Sequence, residues 1–322
     1  MEPGMPNSTN ANVSAMMEKS YPSTPLPRSL AIAVLVILSI SILAGASGNA
    51  FVSNQFRRRR DLRKVPHYLL ASLSLTGLLT ALFAMPSLLI ATIANYLQAG
   101  HLPVAQTLCK LGFPLSVGCV ALNALTITLM TIDRHDCVVR PFRRRLSTQN
   151  VKKILPLTWL LAFIITAVLL VLLRKENTVC YTWFPYKQSK SFQTEQGNLI
   201  QIYLTTTAQL DTLAIVLVII TFFRVVKRLR SPVTSRTTNS SIQQRQEKKL
   251  TRLTYGISGT YILFRLPLIV CHIVIRAAES QGNALDTVFL LANAMVYSTF
   301  VFNPVLYFRM LRQPNRVGPA VT

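Results

Sequence analysis

Residues 130–142 read MTIDRHDCVVRPF, and their setting decides the fold. The preceding run, Cys119 to Leu129, holds only apolar and weakly polar side chains, and then two opposite charges, Asp133 and Arg134, stand side by side. A charged group in an apolar medium is costly unless it is paired. The pair therefore reads as the place where a greasy segment meets a polar boundary. What that boundary is depends on the rest of the chain.

The 322 residues are 51% hydrophobic and 14% charged, where a soluble domain carries about 25% charge. The apolar residues fall in seven blocks, 30–56, 66–95, 107–132, 152–173, 199–223, 250–275 and 286–308. Each reaches the roughly 20 residues that cross a bilayer. Seven segments of this length argue against a soluble helical core. The sequence predicts an all-α membrane protein, a bundle of seven transmembrane helices.

The net charge of +23 raises nucleic acid as a partner, but its distribution excludes it. Of the 34 Lys and Arg, 6 lie in 57–64, 7 in 134–153, 9 in 224–252 and 3 in 309–316. With Asp61, Asp133, Asp136 and Glu247 subtracted, these alternate gaps carry +21 of the +23. This is the positive-inside pattern. It places the N-terminus outside and the C-terminus in the cytoplasm. The run RRRRDLRK, 57–64, then faces anionic cytoplasmic lipid.

The expected organisation is an outer tail 1–29, a seven-helix domain 30–308 and a short cytoplasmic tail 309–322. The outer tail has no apolar core of a signal peptide and holds two glycosylation acceptors, Asn7 and Asn12. A third match at Asn239 falls on the cytoplasmic side. Among five cysteines, Cys119 and Cys271 lie in spans and Cys137 on the inner side. Cys109 and Cys180 fall outside, where disulfides persist, and make the natural pair.

The motifs, taken in order, resemble those of the rhodopsin-like G-protein-coupled receptors over roughly residues 30–310. The first span has GNAF with Asn49, and the second has HYLLASLSLTGLLTALFAMP. The third starts at Cys109 and reaches Asp133-Arg134, followed by His135-Asp136-Cys137-Val138-Val139-Arg140-Pro141, with His for the family's Tyr. Trp159 marks the fourth span and Phe264-Arg265-Leu266-Pro267 the sixth. The seventh ends in Asn303-Pro304-Val305-Leu306-Tyr307. The resemblance implies a plasma-membrane receptor that passes an extracellular signal to a heterotrimeric G protein, with no cofactor and no enzymatic step. It further implies that Asp133, Arg134 and Glu247 form a lock between the third and sixth helices, with Asn303, Pro304 and Tyr307 as the switch on the seventh. A charge pair at a membrane boundary with no switching role is the plainer alternative. His135 beside it is either proton-sensitive or an ordinary polar surface residue.

The sequence also departs from the pattern. Gly77 stands where the family has an Asp that coordinates sodium, which puts sodium modulation in doubt. Arg265 replaces the Trp at the pocket floor. At that depth an Arg costs about 2.5–3.5 kcal/mol on insertion scales, so it should have a partner. Asp211, the acid inside the fifth span, is the first candidate. Binding an anionic ligand and snorkelling into a water-filled cavity are the others. The fifth span lacks the family's Pro and is expected to run straighter, which shifts the register of Asp211 by up to a residue.

The expected ligand pocket is framed by Ser116, Asp211, Arg265 and Tyr297. Ser116 stands where amine receptors carry an Asp, and Tyr297 where opsins carry the retinal Lys. A monoamine and retinal are thereby disfavoured, leaving a peptide, a lipid or a small organic anion. The Ser/Thr-rich basic loop at 231–241 is the candidate for phosphate-dependent shut-off, since the tail has only Thr322.

Three other function classes compete with the receptor reading. Gly256-Ile257-Ser258-Gly259 matches the GxSG of intramembrane proteases, but His272 on the same helix is too far along to activate Ser258. A transporter would rest on Asp211 and Arg265 as midplane charges, yet no internal repeat accompanies them. A non-signalling, receptor-shaped decoy that pairs with itself or with another receptor accounts for the losses at Gly77, Arg265 and His135.

Overall fold

The computed structural model describes residues 27–58, 65–97, 103–139, 145–174, 195–230, 241–277 and 283–311. Among these residues seven helices are long and apolar enough to cross a membrane. They are α1 (Arg28–Arg58), α2 (Val65–Leu79, a π-turn at Thr80–Ala84, then Met85–Tyr96), α3 (Pro103–Val139), α4 (Thr148–Leu173), α5 (Glu195–Arg230), α6 (Ser241–Ala277) and α7 (Asn283–Leu311). The expected bundle is present.

Most helices run past the apolar blocks that announced them. α3 continues through Asp133-Arg134 to Val139, so the charged pair lies inside the helix and not at its end. α5 reaches Arg230 and α6 begins at Ser241. The added turns are rich in Arg, Lys, Gln and Glu, which are good helix formers. Hydropathy sees where a helix enters an apolar phase, while the backbone hydrogen bonds continue beyond it.

Inside the apolar phase every polar group needs a partner close by. The Ser and Thr residues of the weakly polar runs find one in their own helix. Thr126 Oγ1 donates to the Leu122 carbonyl at 2.8 Å, Thr128 to Ala124 at 2.8 Å and Thr254 to Leu250 at 3.1 Å. In α2 the same bond is made by Thr76 to Ser72 and by Thr80 to Thr76. Just beyond, the Met85 N–H reaches back to the Thr80 carbonyl and closes a π-turn immediately before Pro86. Pro has no N–H and its ring crowds the carbonyl four residues back. A wider turn there relieves both problems.

α3 is the central helix and packs against α2, α4, α5 and α6, while α7 packs on α6 and closes the ring against α1 and α2. One core cluster lies toward the Cys109 end and includes Leu38, Met85, Leu88, Phe113, Leu169, Tyr297 and Phe300. A second lies toward the Arg134 end and includes Leu69, Ile127, Met130, Val151, Val218, Leu253 and Tyr307. Outward-facing side chains such as Leu43, Phe163, Val171 and Phe223 are exposed and apolar, as a lipid-facing surface requires.

Small residues let the helices approach. A Cβ on Gly118 of α3 would lie 2.0 Å from Thr166 Oγ1 and 3.0 Å from the Ala162 carbonyl oxygen of α4. In a free helix Gly→Ala gains about 1 kcal/mol. Overpacking here costs about 1–3 kcal/mol and wins. Gly118→Ala is expected to lower the Tm of the purified protein. Adding Thr166→Ala is expected to restore part of the loss, since it removes the hydroxyl and leaves the carbonyl. An unchanged or raised Tm in Gly118→Ala would show that the α3–α4 contact is loose.

Candidate functional site

The residues singled out from sequence fall into two groups, one at each end of α3. Toward the Cys109 end, α5 and α6 bring Asp211 and Arg265 together, and Arg265 Nε donates to Asp211 Oδ2. Of the three readings of Arg265, the structure has the ion pair. Both residues are buried. The second carboxylate oxygen is also used, because Tyr261 Oη donates to Asp211 Oδ1 at 2.8 Å. Tyr261 was missed by sequence reasoning. The signal was its spacing, since a residue four before Arg265 shares its helix face.

Close to this pair, α3 and α7 meet through Tyr297 Oη, which donates to Ser116 Oγ at 2.9 Å. Both are buried. The four expected pocket residues are therefore joined in two pairs, α5 to α6 and α3 to α7. The buried charges of Asp211 and Arg265 cancel, leaving hydroxyls as the other polar groups of the set. Cys109, fully buried at this end of α3, is disulfide-bonded, while Cys119 and Cys271 are free thiols. Its expected partner Cys180 lies outside the described residues, as do Asn7 and Asn12.

Toward the other end of α3, Arg134 is held by its neighbour. Its Nε and Nη2 both donate to Asp133 Oδ2, at 2.9 and 2.5 Å. Arg134 is 2% exposed, so the pair is desolvated and its breakage leaves a buried charge. Glu247 lies on α6, and its side chain lies outside the described residues, so the α3–α6 lock stays a proposal. On α7, Tyr307 is buried against the Phe56 ring at 5.4 Å. Pro304 packs so closely on α1 that a Cβ on Gly48 would lie 2.9 Å from Pro304 Cβ. Asn303 is buried, and neither its Oδ1 nor its Nδ2 makes a hydrogen bond among the described residues.

His135 is not a surface residue. It is 5% exposed, and its Nδ1 lies 3.3 Å from Asp136 Oδ1. Asp136 itself, 1% exposed, is a second residue that sequence reasoning left without a role.

Gly77 also has a structural meaning. A Cβ there would lie 2.6–2.7 Å from Oδ1, Cγ and Nδ2 of Asn49. Asn49 Nδ2 donates to the Gly45 carbonyl at 2.8 Å and to the Phe300 carbonyl of α7 at 2.9 Å. The place of the absent carboxylate is taken by an amide that ties α1 to α7. Across the bundle, Trp159 Nε1 of α4 donates to Ser72 Oγ of α2 at 3.1 Å.

Comparisons with known proteins agree with this architecture. Residues 48–307 match the model of the rhodopsin family of seven-transmembrane receptors. Among curated relatives, neuropeptide Y receptor type 2 of Cavia porcellus is 22% identical over 300 residues, covering 88% of this chain and 74% of the relative. The Homo sapiens receptor of the same name is 22% identical over the same spans. Neuropeptide FF receptor 1 of Rattus norvegicus is 23% identical over 286 residues, covering 81% of this chain and 63% of the relative. With seven membrane-length helices closed around α3, the chain belongs to the rhodopsin family of seven-transmembrane receptors and is a multi-pass protein of the plasma membrane.

Proposed function

We propose that the protein is a peptide receptor that activates a heterotrimeric G protein. The observation that carries the reading is Arg134, buried and held by Asp133 within a family-matched bundle. A buried guanidinium held by a carboxylate is a group that a conformational change can release. The names of the relatives, receptors for neuropeptides, support a peptide as the ligand class. So does the spent charge of Arg265, which weakens the case for a small anion docking on it. In this reading the N-terminus is outside with Asn7 and Asn12 glycosylated, and Cys109 pairs with Cys180. The C-terminus and the 57–64 run lie at the anionic cytoplasmic face. Ligand entering among α3, α5, α6 and α7 shifts α6, and Glu247 lets go of Arg134.

The test is basal G-protein activation across a panel of subtypes, with wild type, Arg134→Ala and Glu247→Ala at matched surface expression. The expected result is a signal that rises in Glu247→Ala and vanishes in Arg134→Ala. Silence from all three, and from wild type challenged with a peptide library, would move the assignment to the second reading. That reading is a non-signalling receptor partner acting as a homo- or heterodimer. The specific observation favouring it is the Asp211–Arg265–Tyr261 cluster, which fastens α6 to α5 and opposes its movement.

A further inference from the structure

The sequence Asp133-Arg134-His135-Asp136 holds two carboxylates three residues apart, on neighbouring positions of one helix face. They hold different things. Asp133 binds Arg134. Asp136 reaches across to the start of α4. Its Oδ2 accepts the backbone N–H of Arg145 at 3.1 Å and lies 3.5 Å from Arg145 Nε. Its Oδ1 faces His135 Nδ1. Both oxygens of a nearly fully buried carboxylate are thus occupied.

Arg145 is secured from the other side as well. Its carbonyl accepts Asn150 Nδ2 at 3.1 Å. Ser147 is the N-cap of α4, its side chain accepting the Asn150 N–H at 3.1 Å. Between them Leu146 is buried in the core cluster that holds Val65, Leu69 and Val151. One residue therefore has its N–H tied to α3 and its C=O tied to α4. The Arg145 side chain is 58% exposed, so its ion pair contributes little. The bond to the backbone N–H is the buried, charge-assisted one.

We propose that Asp136 is the positioning residue for Arg145 and the start of α4. By fixing the Arg145 backbone it sets the surface beside Arg134 on which a G protein docks. The second half of this inference rests on the proposed function, and the first half does not. A loop residue held at both backbone groups keeps one conformation, where an untied loop samples many.

The experiment uses the full chain in lipid nanodiscs, with Asp136→Ala, Asp136→Asn and Arg145→Ala. Backbone amide exchange at 145–150 is read by mass spectrometry, and nucleotide exchange on a panel of purified G-protein heterotrimers is read beside it. Loss of a charge-assisted bond is expected to raise exchange at the Arg145 amide by about tenfold in Asp136→Ala. Asp136→Asn keeps an acceptor oxygen and is expected to fall between. Arg145→Ala keeps the N–H and is expected to stay within about twofold of wild type, because an exposed ion pair adds little. G-protein turnover is expected to follow the same order. Arg134→Ala is the contrast, losing turnover while exchange at 145–150 stays as in wild type. If Asp136→Ala leaves amide exchange unchanged, the anchor is wrong. If exchange rises and turnover does not fall, the coupling role is wrong. A wild type that turns over no heterotrimer overturns the proposed function and with it the coupling half, while the exchange data still decide the anchor. Should Asp136→Ala fail to reach the membrane, the near-isosteric Asp136→Asn carries the comparison.

Discussion

Asp211→Leu is expected to remove most of the receptor from the cell surface, and the double variant Asp211→Leu/Arg265→Met to return it. The asymmetry follows from what each change leaves behind. Arg265 is buried and gives its Nε to Asp211. Taking away one partner of such a pair leaves an uncompensated charge, at a cost of about 3–5 kcal/mol. Tyr261 Oη loses its acceptor in the same step, adding about 1 kcal/mol or more. Against a total stability of about 5–15 kcal/mol this is a large share. Replacing both partners by apolar side chains of similar volume removes the cost of the lone charge and leaves only the smaller one at Tyr261. Reversing both charges, Asp211→Arg with Arg265→Asp, is likewise expected to recover expression that either single reversal loses. The measurements are surface labelling of an N-terminal tag and Tm in detergent. Wild-type expression of Asp211→Leu would mean that Arg265 has found water or another carboxylate.

The second large effect is at Gly77. Supplying the carboxylate that this position usually carries in the family, Gly77→Asp, is expected to destabilise the fold severely. The Cβ alone would overlap three atoms of Asn49 at 2.6–2.7 Å, and Asn49 is held by bonds to Gly45 and Phe300. Overpacking of this kind costs about 1–3 kcal/mol, and a buried, unpartnered carboxylate several more. Gly77→Ala separates the two terms, since it carries the overlap without the charge. Adding Asn49→Ala to Gly77→Asp makes room but leaves the charge, so it is expected to recover only part of the Tm. A Gly77→Asp protein as stable as wild type would show that Asn49 moves aside freely, and that its bond to α7 contributes little.

The seven spans, the paired Arg134 and the need for a partner at Arg265 were all legible, because each is a charge or its absence in an apolar run. A lone charge in a span announces itself. Tyr261 did not, since a tyrosine suits an apolar helix whether or not its hydroxyl has work. Its role depends on the rotation of α6 against α5, and the missing Pro of α5 left that rotation open. Gly77 was visible as a departure, but Asn49 as its filler was not, because a neutral amide leaves no trace in hydropathy. Asp136 was hidden for another reason. Its main partner is a backbone N–H across the α3–α4 connection, and no sequence pattern marks which backbone group a carboxylate will reach. The helix ends were read short because the apolar run stopped before helicity did.

The π-turn at Thr80–Ala84 has a consequence for how α2 is numbered against other helices. It behaves as a one-residue insertion absorbed within a continuous rod. Every side chain beyond it is turned about 100° from where an unbroken α-helix would put it. In this phase Ser87 lies against Gly112, so closely that a Cβ on the glycine would come within 2.1 Å of Ser87 Cβ. Deleting a single residue from 80–84 would let the turn close to an ordinary α-turn and keep the Met85–Tyr96 segment in phase, whereas tightening it to α with no deletion would swing that segment round, lift Ser87 off the glycine and present a different face to the centre of the bundle. Position-by-position comparison with a receptor whose second helix lacks the turn therefore holds up to Leu79 and slips by one residue past it.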